Sequence, residues 1–321
     1  MEKESTKNTV FDWLLKGDPS IIYQTYRDLL DAKTSEIKDL QQQISKKGWG
    51  FQFLSKRDNQ TGMWANGLYS PKWISTTYTL LDLKNLGIDP ELKEYKESSL
   101  ILLNGLWKIP EKKGERFLDL CICGMILNIC CYAKIQSEKI DQIVDYILEK
   151  KFADGGFNCR WEYDKNHSSL HTTINILEGL KEYIFNGYQY RKGEIVKSIE
   201  LSCEFILKHK LYKSDKTDQI IDKKMILLSW PSRWHYDILR GLDFFQSIQF
   251  PYDIRMKEAI ILILSKKTKD NLWKTQQKYP GLVHFDMEPV GQVGRINTLR
   301  VLRVLKKYDK EDYFNISKLN S

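Results

Sequence analysis

Residues 154–182 read DGGFNCRWEYDKNHSSLHTTINILEGLKE, and their layout decides the fold. The stretch opens with Asp-Gly-Gly, which favours a tight turn, and the aromatic Phe157 follows. After a polar loop, Ser168 or Ser169 is the expected N-cap of a helix. The apolar face of that helix carries, at helical spacing, Ile174, Ile176, Leu177 and Leu180. A turn, an aromatic residue and an apolar helix therefore make one unit.

The same unit recurs along the chain. Apolar helices are predicted to begin near residues 20, 73, 119, 169, 234 and 295, about 50 to 60 residues apart, and more polar helices follow most of them. Neighbouring units can bury each other's apolar faces, with the more apolar helix of each pair inside. We expect an all-α protein, a single domain over residues 1–321, with a 1–17 N-terminal extension and a 309–321 C-terminal tail. About six helical hairpins would close into an α/α toroid, with an open solenoid as the alternative.

Composition limits the class of protein. The chain has 321 residues, 42% of them hydrophobic, and can bury a large core. Its net charge is +8, but Lys and Glu are interspersed and no arginine-rich block occurs, so no nucleic-acid partner is expected. No apolar run is long enough to span a membrane, and the N-terminus MEKESTKNTV lacks an apolar signal core. We expect a cytoplasmic protein whose six cysteines are thiols or metal ligands.

The turn motifs resemble weakened forms of the Q-x-x-x-G-x-W repeat of squalene–hopene cyclases: NQTGMW at 59–64, DGGF at 154–157 and NLW at 271–273. From about residue 10 to residue 308 the chain resembles the terpenoid cyclase and protein prenyltransferase superfamily, and within it bacterial squalene-cyclase-like proteins. The resemblance implies an α/α toroid whose central cavity holds an apolar, isoprenoid-like or lipid-like substrate. The D-x-D-D acid of hopene-type cyclases is absent from the sequence, which argues against polyene cyclisation.

The resemblance also implies a metal. In protein prenyltransferases, an Asp-x-Cys at one inner helix and a His-Thr at the next hold a catalytic zinc. This chain has Asp119 and Cys121 in the first arrangement and His171, followed by threonine, in the second. A plain N-cap is the alternative role for Asp119.

The inner helices of a toroid run parallel, so residues in their first turns share one rim. Cys121, His171 and His235 occupy such positions, and Cys159 lies in the loop that leads to the same rim. Two cysteines and a histidine, with one coordination position of the metal left open, suit zinc. We predict one zinc ion on Cys121, Cys159 and His171, with His235 or Asp119 as the fourth ligand. The alternative is a packed Cys121 thiol and a His171 that caps its helix.

Aromatic and polar residues near the starts of the inner helices are candidates for substrate binding and catalysis. The residues predicted to bind substrate are Trp73, Tyr78, Trp234, Tyr236, His284 and Arg240. The residues predicted to act as acids or bases are His235, Asp237, Asp286 and Glu288. Core packing, salt bridges between helices and a solvated loop at 284–288 are the alternative interpretations.

Four functions follow as hypotheses. The first is an enzyme of the prenyltransferase or cyclase type that acts on an apolar substrate with a zinc ion at the rim. The second is metal-free cyclisation, which needs an acid at the rim. The third is a protein that binds a lipid or peptide without catalysis. The fourth is a carbohydrate-active α/α barrel, which needs two carboxyl groups facing the cavity.

Overall fold

The computed structural model describes residues 9–109, 118–161 and 167–318, and their regular structure is helical. In this part of the chain the α-helices are α1 Val10–Leu15, α2 Pro19–Asp28, α3 Thr34–Gln43, α4 Gly48–Leu54, α5 Thr76–Leu86, α6 Lys93–Leu106, α7 Leu120–Tyr132, α8 Glu138–Glu149, α9 Leu170–Phe185, α10 Lys192–Lys208, α11 Ile238–Ser247, α12 Lys257–Leu264, α13 Arg295–Tyr308 and α14 Lys310–Lys318. Short 3-10 helices lie at Lys223–Ile226 and Ile254–Met256. The described residues form isolated bridges but no strand, so the predicted all-α class is confirmed.

The predicted apolar helices correspond to α2, α5, α7, α9, α11 and α13. Four of them begin within one residue of the predicted position, while α5 and α11 begin three and four residues later than residues 73 and 234. The delay has a local cause, because Ser75 and Asp237 are extended N-caps, and the tryptophans ahead of them belong to the preceding loops. The predicted face of α9 is confirmed, since Ile174, Leu177 and Leu180 are fully buried.

The recurring turn is tied to the inner helix that follows it. The backbone N–H groups of Trp64, Phe157 and Trp273 donate to threonine hydroxyls at the start of α5, α9 and α13, over 3.0–3.1 Å. The indoles of Trp64 and Trp273 also donate to the carbonyls of Phe53 in α4 and Ile263 in α12, each over 2.7 Å. Trp64 therefore joins α4 to α5, and Trp273 joins α12 to α13. This shared role explains why the motif repeats.

Helices α7 and α9 meet through glycines. A Cβ atom at Gly124 would lie 2.4 Å from the carbonyl oxygen of Asn175, and one at Gly179 would lie 2.5 Å from the carbonyl oxygen of Gly124. Only residues without a side chain permit this approach of two backbones. Because contacts advance together along both helices, α7 and α9 run parallel.

The other inner helices share that direction. At one end, His171 of α9 accepts a hydrogen bond from the backbone N–H of Tyr236, two residues ahead of α11. At the other end, Lys84 near the end of α5 lies 3.0 Å from Glu182 near the end of α9. The starts of these helices therefore lie at one end of the molecule, here the N-terminal rim, and their last turns at the opposite end.

The last inner helix contacts the first. Arg295 at the start of α13 donates to the carbonyl of Trp13, ahead of α2, over 3.1 Å. Arg303 of α13 lies 2.9 Å from Asp28, the last residue of α2. Helix α13 therefore runs alongside α2 in the same direction.

The segments predicted as a 1–17 extension and a 309–321 tail contain helices α1 and α14, while residues 1–8 and 319–321 lie outside the described residues. The rings of Phe11 and Tyr313 pack with centroids 6.4 Å apart. Leu14 and Ile316 are fully buried. Both segments therefore add to the hydrophobic core.

We predict that Gly124→Ala destabilises the protein by about 1–3 kcal/mol, because the new methyl group would overlap backbone atoms of α9 that cannot rotate away. Gly193→Ala in α10 is the matched control, since none of the other described atoms lies within 4 Å of a Cβ there. Urea unfolding followed by circular dichroism measures both. Equal stability of the two variants would contradict the close packing of α7 and α9.

Candidate functional site

An aromatic stack occupies the N-terminal rim. It consists of Trp234, His235 and Tyr279, with ring centroids 3.6 Å apart for the first pair and 3.5 Å for the second. Trp73 meets the His235 ring edge-on at 6.3 Å. Burial between these rings lowers the pKa of His235 to about 3, so this imidazole is neutral at physiological pH. The predicted acid–base residue His235 and the predicted binding residues Trp73 and Trp234 are thus brought together.

His171 lies beside this stack. Its Nδ1 accepts the Tyr236 backbone N–H over 2.8 Å, which places the ring proton on Nε2. Burial, followed by the nearby Arg240 charge, lowers the pKa of His171 to about 4. The lone pair that a neutral imidazole would offer to a metal is therefore engaged in a hydrogen bond.

Cys121 and Cys159 are adjacent. The Cys159 sulfur accepts the backbone N–H of Cys121 over 3.2 Å and the hydroxyl of Thr172 over 3.4 Å. The pKa of Cys159 is lowered, first by the thiol of Cys121 and then by that hydroxyl. The pKa of Cys121 is raised by the same thiol contact and by burial. Cys159 is thus the sulfur that favours the thiolate form, with Cys121 as its hydrogen-bond donor.

These contacts bear on the predicted zinc. Within residues 9–109, 118–161 and 167–318, no three His, Cys, Asp or Glu side chains are grouped so that they could hold a metal ion. Asp119 is the N-cap residue of α7. In this structure Cys159 contacts the start of α7, and the Nδ1 atom of His171 is hydrogen-bonded to the Tyr236 amide. The zinc ion on Cys121, Cys159 and His171, with His235 or Asp119 as the fourth ligand, stays a prediction.

Elemental analysis of the purified protein tests this metal. If zinc binds as the sequence predicts, it is found at one equivalent per chain, and Cys159→Ser loses it. His171 would then have to release the amide of Tyr236, which shifts that amide resonance in an NMR spectrum. Metal content below a tenth of an equivalent in protein purified without chelators contradicts the site.

Three predicted site residues near the rim make internal contacts. Asp237 is fully buried, and its carboxylate accepts the backbone N–H of Arg240 over 2.8 Å and the hydroxyl of Ser229. Tyr236 is fully buried, and Tyr78 is also fully buried and donates its hydroxyl to Tyr69 over 2.9 Å. Asp237 therefore acts as a helix cap in this structure.

The loop at 284–288 borders a small pocket next to Trp73. The Nε2 atom of His284 lies 3.0 Å from the hydroxyl of Thr79, and Asp286 pairs with Lys278. Glu288 accepts the backbone N–H of Ile296 at the start of α13 over 3.1 Å. Burial nevertheless raises the pKa of Glu288 to about 6. The pKa of Glu288 therefore moves towards neutrality, as a general acid or base requires.

A cavity of about 620 Å³ lies between the inner helices, and its lining extends from Trp230 and Arg233 ahead of α11 to Lys84 and Phe185 in the last turns of α5 and α9. Its wall includes the cations Arg27, Lys84, Lys181, Arg233, Arg240, Arg300 and Arg303. It also includes the carboxylates Asp28, Asp31, Glu178, Glu182 and Asp243. Apolar patches are contributed by Leu81, Phe185, Trp230, Phe244, Ile296 and Leu299. The cavity is therefore strongly charged, whereas the sequence predicted an aromatic and apolar lining.

Two of the arginines have a carboxylate of their own. Arg240 makes a two-point contact with Glu178, with both distances 2.8 Å. Arg233 pairs with the buried Asp82. Such pairs are compensated: the first joins α11 to α9, and the second joins the loop ahead of α11 to α5.

The remaining five cations share three carboxylates. Glu182 lies 3.0 Å from Lys84 and 3.7 Å from Lys181. Asp243 and Asp28 are both bound by Arg303, at 2.7 and 2.9 Å. The two last cations reach the same carboxylates: Arg300 and Asp243 are 3.3 Å apart, and Arg27 and Asp28 are 2.6 Å apart. The fifth lining carboxylate, Asp31, pairs with Lys306. Positive charge therefore exceeds negative charge on this part of the wall.

Most of the charged residues that line this cavity were not among the predicted site residues. Of the predicted site residues, Arg240 alone is among the described residues that line it. The residues that sequence reasoning missed are Lys84, Lys181, Glu182, Asp243 and Arg303. A usable signal existed, because each is a charged residue in the later turns of a helix predicted to be apolar.

Comparison with known proteins adds no assignment. No protein-family model matches the chain, and the search of curated proteins finds no match either. Within the described residues, none of the helices is both long and apolar enough to cross a membrane.

We predict that Glu288→Gln changes how stability depends on pH. The raised pKa means that the folded protein holds this proton more tightly than the unfolded chain. As pH rises from about 4.5 to about 6, ionisation of Glu288 therefore lowers the free energy of unfolding. The loss reaches about 2 kcal/mol above pH 6. The variant, which keeps the hydrogen-bond acceptor, should lack this loss.

Urea unfolding of both proteins between pH 4 and 7.5 measures the difference. Glu311→Gln on the exposed face of α14 serves as the control. Parallel pH profiles for wild type and Glu288→Gln would contradict the raised pKa of Glu288.

Proposed function

We propose that the chain is a toroid protein of the terpenoid cyclase and protein prenyltransferase type. Two features support a closed arrangement: parallel inner helices with neighbouring contacts, and the contact between α13 and α2. The repeated bond between a turn aromatic residue and the next inner helix supports the internal repeat that the resemblance implies.

The central cavity binds a small organic anion that carries a phosphate or diphosphate group and an apolar portion. The observation that carries this proposal is the group of five cations that share Glu182, Asp243 and Asp28. Shared carboxylates leave donors of Lys84, Lys181, Arg300 and Arg303 without a full counter-charge, and phosphate oxygens satisfy such donors well. The apolar wall patches accommodate an isoprenoid-like chain.

The same contacts weigh against two alternatives. A glycoside hydrolase or a cyclase of the protonating type needs a carboxylic acid that keeps its proton. In this cavity, burial opposes ionisation of Glu178 and Glu182, but neighbouring Arg and Lys charges lower the pKa of both. Arg27 and Arg303 likewise bring the pKa of Asp28 to about 2. These groups are suited to holding cations in place rather than to donating protons.

A binding protein without catalysis remains the second candidate. Its cavity needs the same surplus of positive charge, so binding alone does not separate it from a transferase. Release of diphosphate from a prenyl diphosphate is followed with a phosphate-coupled assay, in the presence of a small thiol or with water as the acceptor of the prenyl group. A transferase moves the prenyl group to the acceptor and releases diphosphate, and a binding protein returns the ligand unchanged.

We predict that Lys181→Met weakens diphosphate binding about tenfold, as expected for one lost charge-assisted contact. Lys181 is the best position to change because Glu182 keeps Lys84 as its closer partner. Lys197→Met is the matched control, since that side chain lies on the outer helix α10 and is 66% exposed.

Isothermal titration with inorganic diphosphate and with a prenyl diphosphate measures the affinities at two salt concentrations. Tighter binding of the prenyl compound supports the apolar portion of the site. The proposal fails if neither anion binds, or if Lys197→Met weakens binding as much as Lys181→Met.

A further inference from the structure

The two adjacent cysteines at the N-terminal rim differ from the other four. Cys121 and Cys159 are partly exposed, whereas the remaining thiols, those of Cys123, Cys130, Cys131 and Cys203, are buried. The pair lies 38 residues apart in sequence and is brought together because α7 and α9 pack side by side. Burial therefore separates one accessible pair of thiols from four inaccessible ones.

Local contacts assign different roles to the two sulfurs. The Cys159 sulfur accepts the backbone N–H of Cys121 over 3.2 Å and the hydroxyl of Thr172 over 3.4 Å. The backbone N–H of Cys159 in turn donates to the Thr172 hydroxyl over 3.2 Å. Thr172 of α9 thus holds Cys159 through two hydrogen bonds, and the Cys159 sulfur also contacts the start of α7.

We propose that Cys121 and Cys159 form a reversible disulfide by exchange with a low-molecular-weight disulfide. The Cys159 thiolate attacks one sulfur of the small disulfide, which forms a mixed disulfide and releases one small thiolate. Cys121, after losing its proton to that thiolate or to water, attacks the Cys159 sulfur and releases the second small thiol. The protein gives up two hydrogens, and the small disulfide takes them up as two thiols.

This modification site is independent of the charged cavity. Cys121 lies in the first turn of α7 and Cys159 in the loop ahead of α9, and neither is among the described residues that line the cavity. Loss of diphosphate binding therefore leaves the cysteine proposal intact, and failure of the disulfide leaves the cavity proposal intact. The sequence predicted free thiols or metal ligands here, so an oxidised pair goes beyond both expectations.

Folded wild-type protein is equilibrated with oxidised and reduced glutathione at a series of ratios, acid-quenched and alkylated. We expect a transition in which two of the six cysteines become protected from alkylation, and dithiothreitol reverses it. Each ratio is repeated with EDTA, so that a bound metal cannot mask the thiols. Near-ultraviolet circular dichroism shows that the oxidised protein remains folded.

Assignment of the bond needs variants because trypsin leaves Cys121, Cys123, Cys130 and Cys131 in one peptide, residues 117–134, and Cys159 in residues 152–160. Cys121→Ser should abolish the cross-linked peptide pair and leave a mixed disulfide with glutathione on Cys159. Cys123→Ser, a change two residues away in the same peptide, should retain the cross-link.

The proposal is overturned if all six cysteines of the wild type stay alkylatable at every ratio with EDTA present. It is also overturned if the cross-link persists in Cys121→Ser, because another thiol would then be the partner of Cys159.

Discussion

The contact between α7 and α9 depends on two residues without side chains. Gly124 and Gly179 let the backbones approach so closely that any Cβ at Gly124 would meet the carbonyl of Asn175. This approach sets the register between the two helices along their whole length. At their starts it places Cys121 next to Cys159, and further along it places Asn128 beside Glu178. A contact at the rim and a contact further along both helices therefore follow from one packing constraint.

Parallel inner helices give the two ends different chemistry. Their starts present backbone N–H groups that need acceptors, and their ends present carbonyl groups and the negative side of the helix dipole. At the rim, Asp237 accepts an N–H of α11, Glu288 one of α13 and Cys159 one of α7. At the other end, Lys306 donates to the carbonyls of the last α2 residue and Leu29. Caps and catalytic groups are the same residue types, which is why sequence alone favoured the rim as the site.

The helices were predictable because they rest on local signals. Apolar periodicity, the Asp18 cap ahead of Pro19 and the left-handed Gly87 at the end of α5 are all readable from short windows of sequence. The charged lining of the cavity was not predictable, because its charges come from distant segments of the chain. Arg303 and Asp28 are 275 residues apart in the chain. Only the contact between α13 and α2 makes them neighbours, and no window of sequence contains that contact.

The rim residues show a second limit of sequence reasoning. His171 and His235 were correctly expected near each other, and their ring centroids are 5.6 Å apart. Which lone pair each ring offers depends on the surrounding backbone, here the amide of Tyr236. A pattern of residue types predicts proximity, but the direction of a hydrogen bond decides whether an imidazole can act as a ligand or base.

The cavity illustrates how buried charge can indicate function. A cation that shares its carboxylate is incompletely compensated, and burial of such a charge lowers stability. Desolvation lowers the pKa of Lys181, and the charge of Glu182 offsets only part of this effect. The charged form of Lys181 is therefore destabilised by burial. An anion entering between Lys84, Lys181 and the arginines of α13 would supply the missing counter-charge. Binding of such an anion would therefore stabilise the folded state, and the charges that weaken the empty cavity are the ones that would recognise its ligand.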